Sequence, residues 1–238
     1  MTALCLVCAL AIAIVGAGSV FANSDRLLPI YCVETDKKQV AISFDAAWGN
    51  DDTEQLIEIL KEYDVPATFF VVGAWVDKYP ESVKQLSAAG HQIQNHSNTH
   101  PHMPQLSKAQ MTDEIESCNK KIEAITGKCP PLLRPPYGDY DNIVIETLTE
   151  LSMYTIQWDV DSLDWKDSST VDSIVTRVTG NVKPGSIILF HNDATYTPQA
   201  LPIILEKLTA EGYTFVKVAD LIYNDNYTID HAGMQIKN

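Results

Sequence analysis

Apolar and polar positions along the chain form two kinds of segment. Short, continuous apolar runs rich in β-preferring residues predict buried strands, and longer segments with periodic apolar residues predict helices. The predicted strands span residues 39–44, 67–72, 91–94, 132–133, 154–158, 186–190 and 213–218. The predicted helices span residues 51–63, 82–89, 107–125, 140–151, 170–178 and 198–211. Strands that alternate with helices indicate βα units, so we expect an α/β fold in which a parallel sheet forms a single distorted (β/α) barrel.

The N-terminus is a separate apolar segment. Residues 1–22 carry no charged side chain, and residues 3–20 are almost continuously apolar. Val20-Phe21-Ala22 ends in a small residue and resembles a signal-peptidase site, although no basic residue precedes the apolar run. We expect a cleaved secretory signal, with an uncleaved membrane anchor as the alternative, because the run is about long enough to span a bilayer. Under both alternatives the rest of the chain lies outside the cytoplasm, either secreted or anchored at the cell surface.

The remaining sequence predicts one domain. Barrels of this length commonly fold as a single unit, and the sequence contains no internal repeat. We expect an exposed lead-in at 23–38, the folded domain at 39–221 and a polar, loosely held tail at 222–238.

The net charge of −14 narrows the class of partner. It disfavours nucleic acids, anionic membrane surfaces and strongly anionic polymers, because like charges repel. A neutral glycan is compatible with this charge, and we expect contact with a membrane only through an N-terminal anchor.

Three cysteines follow the apolar segment: Cys32, Cys118 and Cys129. An odd number permits at most one disulfide and leaves a free thiol. The sequence alone allows either a Cys118–Cys129 bridge or three unpaired thiols.

Chemically active residue types fall where predicted strands end. Asp45, His96, Arg134 and His191 lie at or just beyond the carboxyl ends of short apolar strands. In a β/α barrel these ends form the face that carries the active site. Together with Asp164 and His100 they supply the groups that a metal-assisted hydrolase needs.

His96 and His100 are candidate ligands of one divalent ion. Imidazole nitrogens suit zinc best, with cobalt or nickel as alternatives. The neighbouring residues are polar, so the competing interpretation is a solvated loop. We interpret His102 as a surface residue, and His91 and His231 as structural or solvated.

Asp45 and His191 are candidates for the base and the acid of a hydrolysis. Asp45 would take a proton from a water and His191 would give one to the leaving group. Asp164 would bond to His191, raising its pKa and fixing its tautomer. The structural alternatives are a helix cap or loop ion pair for Asp45, and a core histidine for His191.

Three further features complete the candidate site. Arg134 can fork onto a carboxylate, for which Asp45 is the candidate. The turn at 135–138 can present a backbone N–H to a developing oxyanion, or it can serve only as scaffold. Trp165 and Leu189 line a small apolar pocket or belong to the core.

Five short patterns in a fixed order carry a resemblance to a known family. They are Ser43-Phe44-Asp45, His96-Ser97-Asn98-Thr99-His100, Arg134-Pro135-Pro136-Tyr137-Gly138, Asp161-Ser162-Leu163-Asp164-Trp165 and Leu189-Phe190-His191. Over residues 39–221 the chain resembles the polysaccharide deacetylases of the NodB-homology type, carbohydrate esterase family 4. The resemblance implies a distorted β/α barrel that removes N-acetyl or O-acetyl groups from glycans with a bound divalent metal.

The resemblance also implies a role for each matching residue. It makes Asp45 the catalytic base oriented by Arg134, and His96 and His100 the metal ligands. It makes His191 the catalytic acid tuned by Asp164. The remaining matches are the Tyr137 amide at the oxyanion, and Trp165 and Leu189 around the acetyl methyl group.

The first pattern departs from the family at one position. The family has two adjacent aspartates there, the second of which completes the metal site, and this chain has Ala46. Asn50, Asp51 or Asp52 from the following turn, or Asp45 itself, would have to supply the missing ligand. This form of the pattern resembles a variant found in sporulation-associated deacetylases of Firmicutes, for which we do not assume dependence on a metal.

We therefore expect an extracytoplasmic glycan N-deacetylase, with peptidoglycan as the leading substrate and polymers of N-acetylglucosamine next. The first alternative is a glycan-binding pseudoenzyme that has lost its metal through Ala46. The second is an O-acetyl xylan esterase, since the same groups would cleave an ester.

Overall fold

The computed structural model describes residues 26–238, and the export segment predicted at 1–22 lies outside them. The strands are β1 (Cys32–Val33), β2 (Gln39–Ala46), β3 (Ala67–Val71), β4 (Gln92–Asn95), β5 (Leu132–Leu133), β6 (Tyr154–Thr155), β7 (Val160–Asp161), β8 (Ile187–His191), β9 (Thr214–Phe215), β10 (Tyr227–Ile229) and β11 (Met234–Lys237). The helices are α1 (Thr53–Glu62), α2 (Gly73–Lys78), α3 (Pro80–Ala88), α4 (Lys108–Thr126), α5 (Asn142–Glu150), α6 (Val171–Asn181), α7 (Thr197–Ala210) and α8 (Val218–Leu221). Within the described residues, no helix combines the length and the apolar character that a membrane span requires.

The main sheet is parallel and follows the order β6-β5-β4-β3-β2-β8-β7, with β9 paired to the start of β2. It curls into a half-barrel with helices around it, which confirms the predicted (β/α) barrel. The carboxyl ends of β2, β4, β5 and β8 therefore meet on one face.

The central position of β2 follows from its sequence. Residues 40–46 are all buried, as expected of a strand that is covered on both faces. Phe44 stacks on Phe69 with ring centroids 4.7 Å apart, and the ring of Phe190 lies 5.6 Å from that of Phe44. This aromatic layer packs β2, β3 and β8 together directly below the ends that carry Asp45 and His191.

The helices begin and end where their capping residues predict. Ser107 and Gln110 form a capping box at the start of α4, since each side chain bonds to the other residue's backbone N–H. Gly127 ends α4 in the left-handed conformation, at φ 70°. Each predicted helix is present with its ends shifted by at most three residues.

The short elements differ from the prediction. The strand predicted at 213–218 is only β9, because Val218 begins α8 and its backbone N–H donates to the buried hydroxyl of Thr68 at 2.9 Å. α2 and β7 were not predicted, since six and two residues are too few to establish a period.

The two ends of the described chain are also more ordered than the prediction of an exposed lead-in and a loosely held tail. β1 pairs in parallel with β11, and β11 pairs with β10, so the two ends form a three-stranded sheet. Ile30 and Val33 of the lead-in are buried, and the buried Gln235 amide bonds to both the backbone N–H and the carbonyl of Tyr223. Backbone and amide hydrogen bonds hold the tail together with the apolar burial of Ile222. The domain limits at 39 and 221 stay predictions.

The described cysteines are unpaired. Cys32 and Cys118 are buried thiols, and Cys129 is exposed. The predicted Cys118–Cys129 alternative is therefore wrong, and the alternative of three free thiols holds.

Candidate active site

A cleft of about 480 Å³ opens at the carboxyl ends of the strands. Seven of the nine predicted site residues line it: Asp45, His96, His100, Tyr137, Trp165, Leu189 and His191. The other two, Arg134 and Asp164, are buried behind Asp45 and His191 and bond to them. The structure thus brings all nine residues together, either in the wall or directly behind it.

Asp45 is held by a buried ion pair. Its Oδ1 accepts a hydrogen bond of 2.7 Å from Arg134 Nη1, and the Arg134 side chain is completely buried. Burial alone would raise the pKa of Asp45, but the charge and the hydrogen bond of Arg134, together with the neighbouring His96 and His191, outweigh it and hold the pKa below its usual range. Asp45 is therefore ionised at neutral pH.

Arg134 does not make the two-pronged contact with Asp45 that its shape allowed. Its second terminal nitrogen donates instead to Ser43 Oγ at 2.8 Å and to the carbonyl of Gln157 at 3.2 Å. The guanidinium carbon also lies 4.2 Å from the ring centroid of Phe70. These contacts fix the direction from which Arg134 reaches the carboxylate, and they leave Asp45 Oδ2 facing the cleft side.

The orientation of His96 is fixed by one bond. Its Nδ1 lies 2.7 Å from the carbonyl oxygen of Arg134, and a carbonyl only accepts, so Nδ1 carries the hydrogen. Its Nε2 then has a free lone pair, 3.5 Å from Asp45 Oδ2. Burial lowers the pKa of His96, which keeps the ring neutral. Two buried acceptor atoms therefore face each other across 3.5 Å, an arrangement that a cation would stabilise.

His100 stands beside His96, and their ring centroids are 4.9 Å apart. Its backbone has a positive φ of 63°, and its N–H donates to Ser97 Oγ at 3.0 Å. Burial lowers the pKa of His100 to about 4, and its Nδ1 is buried without a partner among the described residues. An unpaired, neutral imidazole next to a second one fits a pair of metal ligands.

The turn after β2 does not bring a third ligand to the histidines. Asn50 donates its amide to Ser82 at 3.0 Å, Asp52 accepts the backbone N–H of Asp193 at 2.9 Å, and Asp51 is exposed. Within residues 26–238, no group of three or more histidine, cysteine, aspartate or glutamate side chains is arranged to hold a metal. On this face the two histidines, His96 and His100, are therefore the candidate ligands, and Asp45 Oδ2 lies 3.5 Å from His96 Nε2 without completing a three-residue site.

His191 is bonded on its inner side. Its Nδ1 lies 2.8 Å from Asp164 Oδ1, and its backbone N–H donates to Asp164 Oδ2, also at 2.8 Å. Thr197 Oγ1 donates to the same carboxylate at 2.6 Å, which keeps Asp164 in place. Burial lowers the pKa of His191, but the bond and the charge of Asp164 outweigh burial, so the pKa is raised overall. The side chain is 22% exposed, and Asp164 both orients the ring and favours its protonated form.

Tyr137 forms the opposite rim of the cleft. Its backbone is left-handed at φ 60°, which turns the 135–138 segment sharply, and its ring is exposed. The ring stacks on His102 at 4.2 Å and meets the edge of His100 at 4.5 Å. His102 Nδ1 pairs with Asp139 Oδ2 at 3.0 Å. His102, which we interpreted as a surface residue, is half-exposed and buttresses this rim.

Leu189 is buried at the base of the cleft, whereas Trp165 is exposed at its mouth. The prediction that both surround a small apolar pocket agrees with their position in the wall. Two lining tryptophans, Trp48 and Trp158, were missed. Trp158 ends the strand predicted at 154–158, and Trp48 lies four residues beyond the strand predicted at 39–44. Their positions at the active face are the signal that would have found them.

Comparison with known proteins places the chain in a family. Residues 33–156 match the sequence profile described as polysaccharide deacetylase. The chain belongs to this family.

Relatives within the family have differing activities. The chain is 36% identical over 195 residues to a peptidoglycan-N-acetylglucosamine deacetylase of Bacillus cereus, covering 80% of this chain and 91% of the relative. It is 33% identical over 196 residues to the peptidoglycan-N-acetylmuramic acid deacetylase PdaA of Bacillus subtilis, covering 81% and 74%. A solved structure of a pseudoenzyme of carbohydrate esterase family 4 from Bacillus anthracis superimposes with a TM-score of 0.79 at 35% identity, covering 82% and 69%.

Some curated relatives are considerably longer. The chain spans 63% of an uncharacterized protein of Bacillus subtilis, and 40% of a second protein from that organism.

Proposed function

We propose that the protein hydrolyses the N-acetyl groups of a cell-wall glycan and releases acetate. The observation that carries this proposal is the pairing of Asp45 with His191 in one cleft. Arg134 keeps the first ionised and Asp164 favours the protonated form of the second. A deprotonated carboxylate and a protonated imidazole on neighbouring strands suit the two proton transfers of amide hydrolysis.

In this mechanism the chain's own residues move the protons. Asp45 accepts a proton from the water while the water oxygen attacks the carbonyl carbon of the acetamide. The backbone N–H of Tyr137, on the turn at the rim, donates to the oxyanion that forms. His191 then gives a proton to the sugar nitrogen as the C–N bond breaks, so the products are acetate and a free amino sugar. The acetyl methyl group lies against Leu189 and Trp165.

The proposal includes a divalent ion held by His96 and His100, with Asp45 Oδ2 as the adjacent oxygen. The unpaired Nδ1 of His100 and the facing acceptors of His96 and Asp45 support it. Zinc is the leading candidate, with cobalt or nickel as alternatives. When bound, such an ion would polarise the amide carbonyl and lower the pKa of an attacking water.

The proposed substrate is peptidoglycan, followed by polymers of N-acetylglucosamine. Several relatives are named for deacetylation of N-acetylglucosamine or N-acetylmuramic acid in peptidoglycan, which supports this class of glycan. We further propose that the apolar residues 1–22 export the chain, as a signal or an anchor, so that the active site meets the wall outside the cytoplasm.

A second candidate function is glycan binding without turnover. It is favoured by Ala46, which leaves two histidines without a dedicated carboxylate ligand, and by the similarity to a pseudoenzyme. A mutant of that pseudoenzyme is described as having restored enzymatic activity. Against this candidate, a binding protein has no need of the buried Asp164 behind His191.

Acetate release decides between the two candidates. The purified protein is incubated with peptidoglycan and with N-acetylglucosamine oligomers, first stripped of metal and then with zinc or cobalt. Metal-dependent release is expected. Release that is independent of metal would overturn the ion's part in the proposal, and glycan binding without release under any metal would favour the binding protein.

A further inference from the structure

A cavity of about 360 Å³ lies at the opposite end of the barrel from the active site, and we call it the basal cavity. Its wall includes His91 directly before β4, residues 128–131 before β5, and Lys217 before α8. Because β4 and β5 run in parallel towards His96 and Arg134, their starts lie on the face away from the cleft. The four residues of β4 alone separate the two faces by about 13 Å. The basal cavity is therefore separate from the site described above.

His91 contributes a hydrogen-bond donor without a partner. Its Nδ1 accepts the backbone N–H of Ala67 at 3.3 Å, so the ring hydrogen is on Nε2. Burial, together with the charge of Lys217, lowers the pKa of His91 to about 4, which keeps this neutral form at pH 7. The residue is 8% exposed, and its Nε2 is buried without a partner among the described residues. A buried donor without an acceptor costs free energy, and an acceptor atom from a ligand would remove that cost.

Two ammonium groups in the same wall supply positive charge. Lys217 is half-buried and Lys128 is exposed, and neither forms an ion pair within residues 26–238. Asp220 is the carboxylate of the described wall, so two lysines stand against one acid, although the whole chain has a net charge of −14. Ammonium groups beside a neutral N–H donor suit a ligand that carries negative charge and only accepts hydrogen bonds.

We propose that the basal cavity binds an oxyanion, the phosphate or carboxylate group of a ligand, between Lys217, Lys128 and the Nε2–H of His91. Each oxygen of such a group accepts hydrogen bonds, and its charge matches the two ammonium groups. A metal ion is unsuited to this wall, because the same ammonium groups would repel it. The site does not depend on the proposed function, since it lies on the other face of the barrel and takes no part in acetate release.

Cys129 is a natural reporter in the wall of the basal cavity. It is exposed, whereas Cys32 and Cys118 are buried, so alkylation of the peptide that contains Cys129 reports on this cavity. Iodoacetate is an anion and iodoacetamide is neutral, and both react with the same thiolate. The ratio of their rates therefore measures how strongly the wall attracts an anion. It is independent of the pKa of the thiol, which burial and the nearby Glu123 raise.

The first experiment compares this ratio in the wild-type protein, Lys217→Gln, Lys128→Gln and a matched control, Lys207→Gln. The control removes an exposed lysine in the last turn of α7, outside the wall of the basal cavity. The ratio of iodoacetate to iodoacetamide rates should fall about threefold in each wall variant, the effect of one nearby charge in water, and should not change in Lys207→Gln. A ratio that is unchanged in the wall variants, or that falls equally in the control, would overturn the site.

The second experiment follows binding of inorganic phosphate and of acetate, with the ionic strength held constant by chloride. A bound anion should slow alkylation of Cys129 and shift the nitrogen NMR resonance of His91 Nε2, both with saturation. Lys217→Gln should weaken this binding about tenfold, the loss of one charge-assisted hydrogen bond, and Lys207→Gln should leave it unchanged. Both signals arise in the basal cavity, so an anion bound in the active-site cleft does not affect them.

The outcomes identify the group that binds. Saturation by phosphate alone assigns the site to a phosphate group, and saturation by acetate, alone or as well, assigns it to a group that includes carboxylates. No saturable response of Cys129 or His91 to either anion, or an equal response in Lys217→Gln and the wild-type protein, would overturn the proposal. None of these results bears on acetate release, so the deacetylase proposal stands or fails separately.

Discussion

Asp45 and His191 are register partners on the adjacent parallel strands β2 and β8. Each has a buried partner of opposite charge. The Arg134 guanidinium bonds to the Asp45 carboxylate, and the Asp164 carboxylate bonds to the His191 imidazole. The two pKa values are consequently moved apart, that of Asp45 downwards and that of His191 upwards. Between these pKa values the base is ionised and the acid is protonated together, which is the state that amide hydrolysis needs.

Replacement of Asp164 by asparagine should shift the alkaline decline of kcat/KM to lower pH. The raised pKa of His191 depends on the bond and the charge of Asp164, so the pKa falls in Asp164→Asn. An acid catalyst works only while protonated, and the decline of kcat/KM with rising pH should therefore begin at lower pH than in the wild-type protein. The measurement is a pH profile of acetate release.

Asp172→Asn is a matched control for that profile, because it removes one carboxylate from the exposed first turn of α6. Its alkaline limb should coincide with that of the wild-type protein. If Asp164→Asn also leaves the limb in place, His191 is not the group that controls it.

Arg134→Met should destabilise the fold strongly. It leaves the buried Asp45 carboxylate without its counter-charge, and breaking a buried ion pair costs about 3–5 kcal/mol. Urea unfolding measures the loss. Lys84→Met breaks the exposed pair with Glu81 and should cost no more than about 1 kcal/mol. Equal losses in the two variants would refute the structural importance given to the Asp45–Arg134 pair.

Ala46→Asp should make stability depend on zinc. Ala46 is buried at the end of β2, so an aspartate there lacks water and needs a cation. The variant should melt below the wild-type protein when stripped of metal, and zinc should raise its Tm more than it raises that of the wild-type protein. A Tm that does not respond to zinc would mean that a carboxylate at this position does not reach the ion.

Asp52→Asn should stabilise the protein at neutral and alkaline pH. Burial raises the pKa of Asp52 to about 6, and its Oδ1 is buried without a partner among the described residues. A carboxyl with a raised folded-state pKa contributes stability below its unfolded pKa of about 3.9, and loses that contribution as the pH rises through 6. The asparagine keeps an acceptor for the Asp193 N–H and avoids the buried charge, so a gain of about 1–2 kcal/mol is expected at pH 8.

Unfolding free energies at pH 4 and pH 8 measure that effect. The gain of Asp52→Asn should disappear at pH 4, where the wild-type carboxyl is protonated in the fold. Asp51→Asn changes the exposed neighbour and should give no gain that depends on pH. A gain of Asp52→Asn that is larger at pH 4 than at pH 8 would reverse the assigned sign.

The sequence was sufficient for the barrel and for the arrangement of the site because both depend on local patterns. A continuous apolar strand that ends in a chemically active residue, as at Asp45 and His191, predicts both the strand and the place of its last side chain. In the sequence, Asp45 was the candidate carboxylate for the Arg134 guanidinium, and Arg134 Nη1 donates to Asp45 Oδ1 at 2.7 Å.

The remaining features depend on contacts between distant segments, which local sequence patterns do not predict. β1 and β11 are separated by some two hundred residues, so the order of the tail could not be predicted from its polar composition. The hydrogen bonds from the second terminal nitrogen of Arg134 to Ser43 and Gln157 could not be predicted for the same reason. Trp48 is exposed, next to Ala47 whose backbone N–H donates to the distant Asn192, whereas hydrophobicity alone predicts burial.

The most direct test of the central claim is acetate release from N-acetylated peptidoglycan by three proteins: the wild type, Asp45→Asn and His191→Ala. The claim is that these two residues are the base and the acid of one reaction. Each variant should lose at least about 100-fold in kcat, the usual contribution of a general acid or base, while its circular dichroism shows an intact fold. Turnover close to that of the wild-type protein in either folded variant would contradict the account.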